Sequence, residues 1–177
     1  MPDDADGLLK RAAVARRENR PDDSHRDLVQ AVALCRQSGR RRELVQALKA
    51  LGQIERDLGN REAALPLYEE AVALCRKDDD LLALAHTVRH LGDIHREAGR
   101  ADLAEPCLLE ALAIYRGHAR TERLDLANAI RPLAILRDES GDVDEARRLW
   151  TEARDLYAKV GVEVGAVECA RRLARPG

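Results

Sequence analysis

Aromatic side chains are nearly absent: one Trp, three Tyr and no Phe stand among 177 residues, 2% of the chain. The core must then be filled by Leu, Ala, Val and Ile, and a 45% hydrophobic content made of such residues suits closely packed helices. The same scarcity removes the stacking platforms on which single-stranded nucleic acids lie. A dominant charge is missing too. Thirty Lys and Arg oppose 32 Asp and Glu for a formal charge of -2, which argues against a general nucleic-acid or membrane-surface binder. Lys is the rare cation, 4 against 26 Arg. No stretch approaches the roughly 18 apolar residues of a membrane span. The first residues, Met1-Pro2-Asp3-Asp4-Ala5-Asp6, lack the apolar core of a signal peptide, so a cytoplasmic protein is expected. The four cysteines, Cys35, Cys75, Cys107 and Cys169, form no CxxC pair, and reduced structural thiols are expected.

What is present is a repeat. AVALCR at 31–36 returns at 71–76, ALAIYR follows at 111–116 and ARDLYA at 153–158. The upstream segments align on the same shift. Leu51-Gly52 and Gly59 match Leu91-Gly92 and Gly99, then Leu133-Ala134 and Gly141, with Asn19 standing in the first copy. Ala64, Ala104 and Ala146 also correspond, with Ser24 in the first copy, as do Tyr68, Leu108 and Trp150, with Leu28. A self-similar period of this length signals a stacked-repeat architecture. Each copy reads as two helices, since Leu44, Leu48, Leu51 and Leu58, then Ala64, Leu67, Ala71 and Leu74, recur at helical spacing.

The residue types at the copy boundaries fit two helices with a tight turn. Gly59 can take the left-handed conformation that ends the first helix, Asn60 is placed to cap the next, and Asn19 is the best non-glycine substitute for Gly59. Gly141-Asp142 repeats the device, and the run Asp78-Asp79-Asp80 precedes a helix it can cap. Gly52, Gly92, Ala64, Ala104 and Ala146 let antiparallel helices approach closely, and a lone pair of helices must stack on neighbours to bury its remaining apolar face. Pro132, inside a helix, should bend it.

The strings LGQIERDLGNREAALPLYEEA and LGDIHREAGRADLAEPCLLEA resemble the tetratricopeptide repeat, and the period of 40 to 42 residues resembles the long-helix variant of kinesin light chains and of sensor regions in some bacterial transcription activators. The resemblance implies an all-α, right-handed superhelix of four antiparallel helix-turn-helix repeats, approximately 5–39, 41–78, 80–118 and 121–160; the apolar face of the last segment adds a capping helix at 162–174, and the chain length suits a single domain spanning 1–177. It also implies a protein-interaction scaffold that holds a peptide or protein in a concave groove lined by the first helix of each repeat. A ligand-sensing module partnering a separate effector, such as a transcription regulator, is the alternative.

Carried over position by position, the groove residues are Arg16 in the first repeat, with Asp6, Leu9 and Ala13 beside it. The second repeat supplies Gln46, Lys49, Gln53 and Arg56, the third His86, Arg89, Asp93 and Arg96, and the fourth Asn128, Arg131, Ile135 and Asp138. The arginines dominate this stripe and imply an acidic ligand, with Ile135 as an apolar anchor.

Catalytic and metal chemistry find little support. His86 and His90 are four apart, as in a two-histidine metal site, but the glutamate of HExxH is missing. No nucleophile elbow, phosphate-binding glycine loop or EF-hand loop occurs. No enzyme, cofactor or metal is expected. In the last segment Val162, Ala166, Cys169, Ala170 and Leu173 share one helical face; Val164 and Val167 lie off it and offer a route to a homodimer.

Overall fold

The computed structural model describes residues 4–175, which are all-α. By internal packing the chain divides into two compact units, Met1–Asp79 and Asp80–Gly177. The first holds α1 (Ala5–Arg17), α2 (Pro21–Ser38), α3 (Arg41–Asp57) and α4 (Arg61–Cys75). The second holds α5 (Leu81–Glu97), α6 (Ala101–Gly117), α7 (Arg123–Ser140), α8 (Val143–Lys159) and α9 (Glu163–Leu173). Within each unit, helices adjacent in sequence pack as hairpins, α1 also meets α3, and α5 also meets α7.

The turn between the two helices of each repeat has one left-handed residue. Gly59, Gly99 and Gly141 have φ of 84°, 72° and 79°, and Asn19 fills the equivalent place at 56°, as its short polar side chain allows. One backbone bond then closes every first helix. The N–H groups of Arg20, Asn60, Arg100 and Asp142 donate to the carbonyls of Ala15, Glu55, His95 and Arg137 at 2.7 to 3.0 Å. Asp80 and Asp142 cap as expected, accepting from the N–H groups of Ala83 and Glu145. Asn60 does not cap α4. Its side chain donates instead to Glu55 Oε2 at 2.9 Å, while Glu55 Oε1 lies 2.8 Å from His25 Nε2, so a nearly buried carboxylate ties α2, α3 and the turn together.

Small residues set the helix spacing. A Cβ built at Gly52 would stand 2.6 Å from Cε2 of Tyr68, and one at Gly92 would stand 2.8 Å from Cδ2 of Leu108. Ala64, Ala104 and Ala146 are fully buried on the facing helices, and Ser24, in the first repeat, spends its hydroxyl on the carbonyl of Ala12 at 3.0 Å. Gly92→Val should therefore destabilise the second unit by about 2–3 kcal/mol through overpacking. Measured in urea, the pair Gly92→Val with Leu108→Ala should cost less than the sum of the single changes, because the smaller partner makes room.

Each unit has its own aliphatic core. Leu8, Leu28, Leu48 and Ile54 anchor the first, and Leu108, Ile130, Leu133, Trp150 and Tyr157 the second. Helix α7 runs from Arg123 to Ser140 with Pro132 buried inside it, so the proline does not end the helix. Second helices of successive repeats exchange ion pairs within each unit: Arg36 with Glu70 in the first, and Arg116 with Glu152 at 2.7 Å in the second. Glu105 of α6 and Arg137 of α7 form another link between successive repeats.

Candidate functional site

In the first unit the expected groove positions sit on the facing helices α1 and α3. Gln46, Lys49, Gln53 and Arg56 follow a 3-4-3 spacing along one side of α3, Gln46 exposed and the others half-buried. Arg16 of α1 is exposed and pairs with Asp57 at 2.9 Å, and Gln53 Nε2 donates to the same carboxylate at 2.7 Å. Beside them lies a hollow of ≈ 280 Å³ whose wall includes Leu9, Ala13, Ala50 and Ile54, with Arg16 and Arg17 at its edge. Asp6, at the other end of α1, is held by Arg40.

The second unit gathers a denser polar cluster. His86, Arg89, Asp93 and Arg96 repeat the 3-4-3 spacing on α5, and Asn128 and Arg131 follow on α7. Asp93 lies between two guanidinium groups, with Arg89 Nη1 at 3.3 Å and Arg96 Nη2 at 3.7 Å. The side chains of Arg89, Asp93 and Arg96 are only 13%, 12% and 14% exposed. Arg89 also meets His90 Nε2 at 2.9 Å, and the His86 and His90 rings lie 4.7 Å apart. The stripe is therefore neither fully solvated nor uniformly cationic. Arg96 differs from Arg89. The Nε of each is buried without a hydrogen-bond partner, but the nearest carboxylates of Arg96, Asp93 at 3.7 Å and Glu97 at 3.8 Å, stand beyond hydrogen-bond distance.

Two tyrosines absent from the expected site border the cluster. Tyr157 of α8 donates its hydroxyl to Asn128 Oδ1 at 2.9 Å, and Tyr115 of α6 lies close enough to Arg89 to feel its charge. Burial pushes both phenols up to about 12, with Arg89 opposing the shift in each. They occupy equivalent positions in their copies, ALAIYR and ARDLYA, which is the sequence signal that could have found them. Glu168 of α9 was also missed. It accepts two hydrogen bonds from Arg131, at 2.8 and 2.9 Å, and this pairing holds its carboxyl below the usual glutamate range.

Two expected groove residues are placed differently. Ile135 is 6% exposed and belongs to the core of the second unit, so it offers no anchor to a ligand; the position carried over from the family falls on the core side of α7 here. Asp138 is engaged at the end of α7, accepting the indole N–H of Trp150 at 2.8 Å and lying 3.6 Å from Arg172. Among the described residues no group of three or more His, Cys, Asp and Glu side chains could hold a metal ion. No helix among them is long and apolar enough to cross a membrane.

The model of the tetratricopeptide repeat family matches residues 3–77 and 80–174. The chain belongs to the tetratricopeptide repeat family. The break between the two matches falls where the two compact units of this tetratricopeptide repeat protein divide. No curated protein matches the chain. Among solved structures it is similar to BtubC (BKLC) from P. vanneervenii, with a TM-score of 0.80 at 20% identity over 89% of this chain and 64% of that one. A Rap protein complexed with Competence and Sporulation Factor gives 0.80 at 19% identity, over 93% of this chain and 46% of that one. A putative kinesin light chain from Podosopora anserina, with nearly identical TPR-like repeats, gives 0.73 at 19% identity, over 90% and 78%. The chain thus spans less than two thirds of the length of the first two. At these identities the tetratricopeptide likeness is one of fold.

Proposed function

We propose that this tetratricopeptide repeat protein is a non-catalytic interaction module, and that the α5–α7 face of its second unit takes a segment of a protein or peptide bearing a carboxylate. The observation that carries the reading is Arg96. A guanidinium presents five N–H donors, and one 86% buried with none of them spent on a hydrogen bond within the described residues is a costly arrangement. A ligand carboxylate approaching Arg96 beside Arg89 would meet those donors in the two-pronged geometry that guanidinium favours. Backbone amides of the same segment have the Tyr115 and Tyr157 hydroxyls, Asn128 and His86 as further neighbours. The sensor reading differs in what arrives, a diffusible signal rather than a segment of a larger partner, and leaves the output to a separate effector.

The experiment titrates labelled Asp- and Glu-containing peptides against their Asn and Gln counterparts, at low and high salt. Acidic peptides should bind more tightly, and the advantage should shrink as salt screens charge. Arg96→Met should weaken acidic-peptide binding roughly 10-fold or more, the worth of a charge-assisted hydrogen bond, while helical content and melting stay near wild type. Equal binding of the acidic and amide peptides, or an Arg96→Met protein that binds like wild type, would sink the proposal. Affinity capture followed by mass spectrometry then separates the two occupants: a protein partner favours the interaction module, a small peptide the sensor.

A further inference from the structure

We infer that the outer face of α9 is self-complementary and pairs two copies of this chain antiparallel about a two-fold axis at Val167. The inner face of this helix is spent. Cys169 is fully buried, Glu168 is bound to Arg131, and Arg172 lies 5.5 Å from the centre of the Trp150 ring. The outer face is left over. Val164 is 83% exposed and Val167 48%, a pair of branched apolar side chains one helical turn apart, with Ala170 exposed at the next turn. Beside them opens a hollow of ≈ 640 Å³ whose wall includes Arg131, Arg171 and Arg175, space into which a side chain of an opposing surface can enter.

The charges flanking the valines identify the occupant. Glu163 and Arg171 stand on either side of Val167, both exposed, and neither makes an ion pair among the described residues. This sets them apart from Glu168 and Arg172 on the same helix. Val167 lies midway between Glu163 and Arg171, and midway between Val164 and Ala170. An antiparallel copy of α9 centred on Val167 therefore brings each Glu163 to the other copy's Arg171, twice per pair, and each Val164 to the other copy's Ala170. A parallel copy would set Glu163 against Glu163 and Arg171 against Arg171. Only the antiparallel arrangement satisfies both the apolar centre and the charged ends, and it is the isologous geometry that a two-fold axis requires. An 11-residue helix is only about 16 Å long, so the contact is small and the pairing should be reversible and concentration-dependent. The face shares only Arg131 with the α5–α7 cluster, and because the pairing is carried by Val164, Val167, Glu163 and Arg171 the inference stands independently of the peptide reading.

The test is sedimentation equilibrium across a concentration series. Wild type should shift from monomer to dimer as concentration rises, and less so in high salt. Glu163→Arg alone would set arginine against arginine at both charged ends of the pair and Arg171→Glu alone would set glutamate against glutamate, so each should lose self-association while keeping its helical content. Mixing the two single variants should restore a dimer, now a heterodimer, and the double variant Glu163→Arg with Arg171→Glu should again pair with itself. A wild type that remains monomeric throughout would overturn the proposal, as would single variants that associate like wild type or a mixture that stays monomeric. In the first of those cases the exposed valines serve some other occupant, such as a following helix or a different protein.

Discussion

Trp150→Ala should lower the stability of the second unit by about 3–5 kcal/mol, the cost of emptying a large aromatic site from a packed core. The indole is 1% exposed, caged by the second core, crossed by Arg172 and tied through its N–H to Asp138. Followed by circular dichroism during heating, the melting temperature should drop by about 6–20 °C, given the size of the chain. Trp150→Phe separates the contributions, since it retains most of the ring and loses the N–H donor. Its expected cost is about 1–2 kcal/mol, small because Asp138 is partly open to water and can take a solvent donor instead. A Trp150→Ala protein melting within a degree or two of wild type would mean that the surrounding helices collapse into the vacated space.

Removal of residues 162–177 should produce a protein that remains helical but aggregates. Helix α9 buries Cys169 and partly buries Ala166 and Leu173 against α8, and its backbone passes so close to Tyr157 that a Cβ at Gly165 would stand 2.7 Å from the ring. Truncation exposes that ring together with Leu149 and Leu156, strands Arg131 without Glu168, and uncovers the flank of Trp150. Loss of this burial costs about 4 kcal/mol by area reasoning, but the sharper consequence is solubility, since a repeat array ends badly on an apolar face. Light scattering and dye binding to exposed apolar surface should both rise steeply with concentration. A truncated protein that stays monodisperse at high concentration would contradict this.

The hairpin skeleton was legible because it depends on local backbone chemistry. Asn19 was readable as a stand-in for glycine since few other residues enter the left-handed region cheaply, and it does so at φ 56°. Gly52 and Gly92 announced close helix contacts by being glycines inside otherwise strong helices. Asn60 misled for an instructive reason. Its cap propensity is a local preference, and it lost to a nearly buried carboxylate, Glu55, that needed a second donor. The site was less legible because helical spacing gives direction around an axis and not depth. Arg89 and Arg96 were read as part of an arginine-dominated stripe lining a groove, yet they are largely buried, with Asp93 four residues after one and three before the other lying between them. The Tyr157–Asn128 and Arg131–Glu168 contacts join residues 29 and 37 apart on different helices, where no short-range rule reaches.

The ion pairs between second helices bear on how such a chain changes length. Each joins an arginine near the end of one copy's second helix to a glutamate in the next copy, Arg36 to Glu70 and Arg116 to Glu152, and in sequence Arg76 and Glu110 hold the same two places. Exposed pairs of this kind add little to stability. Their value lies in interchangeability, because the second and third copies present the same donor forward and the same acceptor backward. Excision of one whole period would bring Arg36 to Glu110, an identical match, whereas excision of half a period would set unlike positions against each other. Unequal recombination between copies would thus be tolerated in whole periods and penalised in fractions, allowing the gene to grow or shrink by repeats without redesigning a junction.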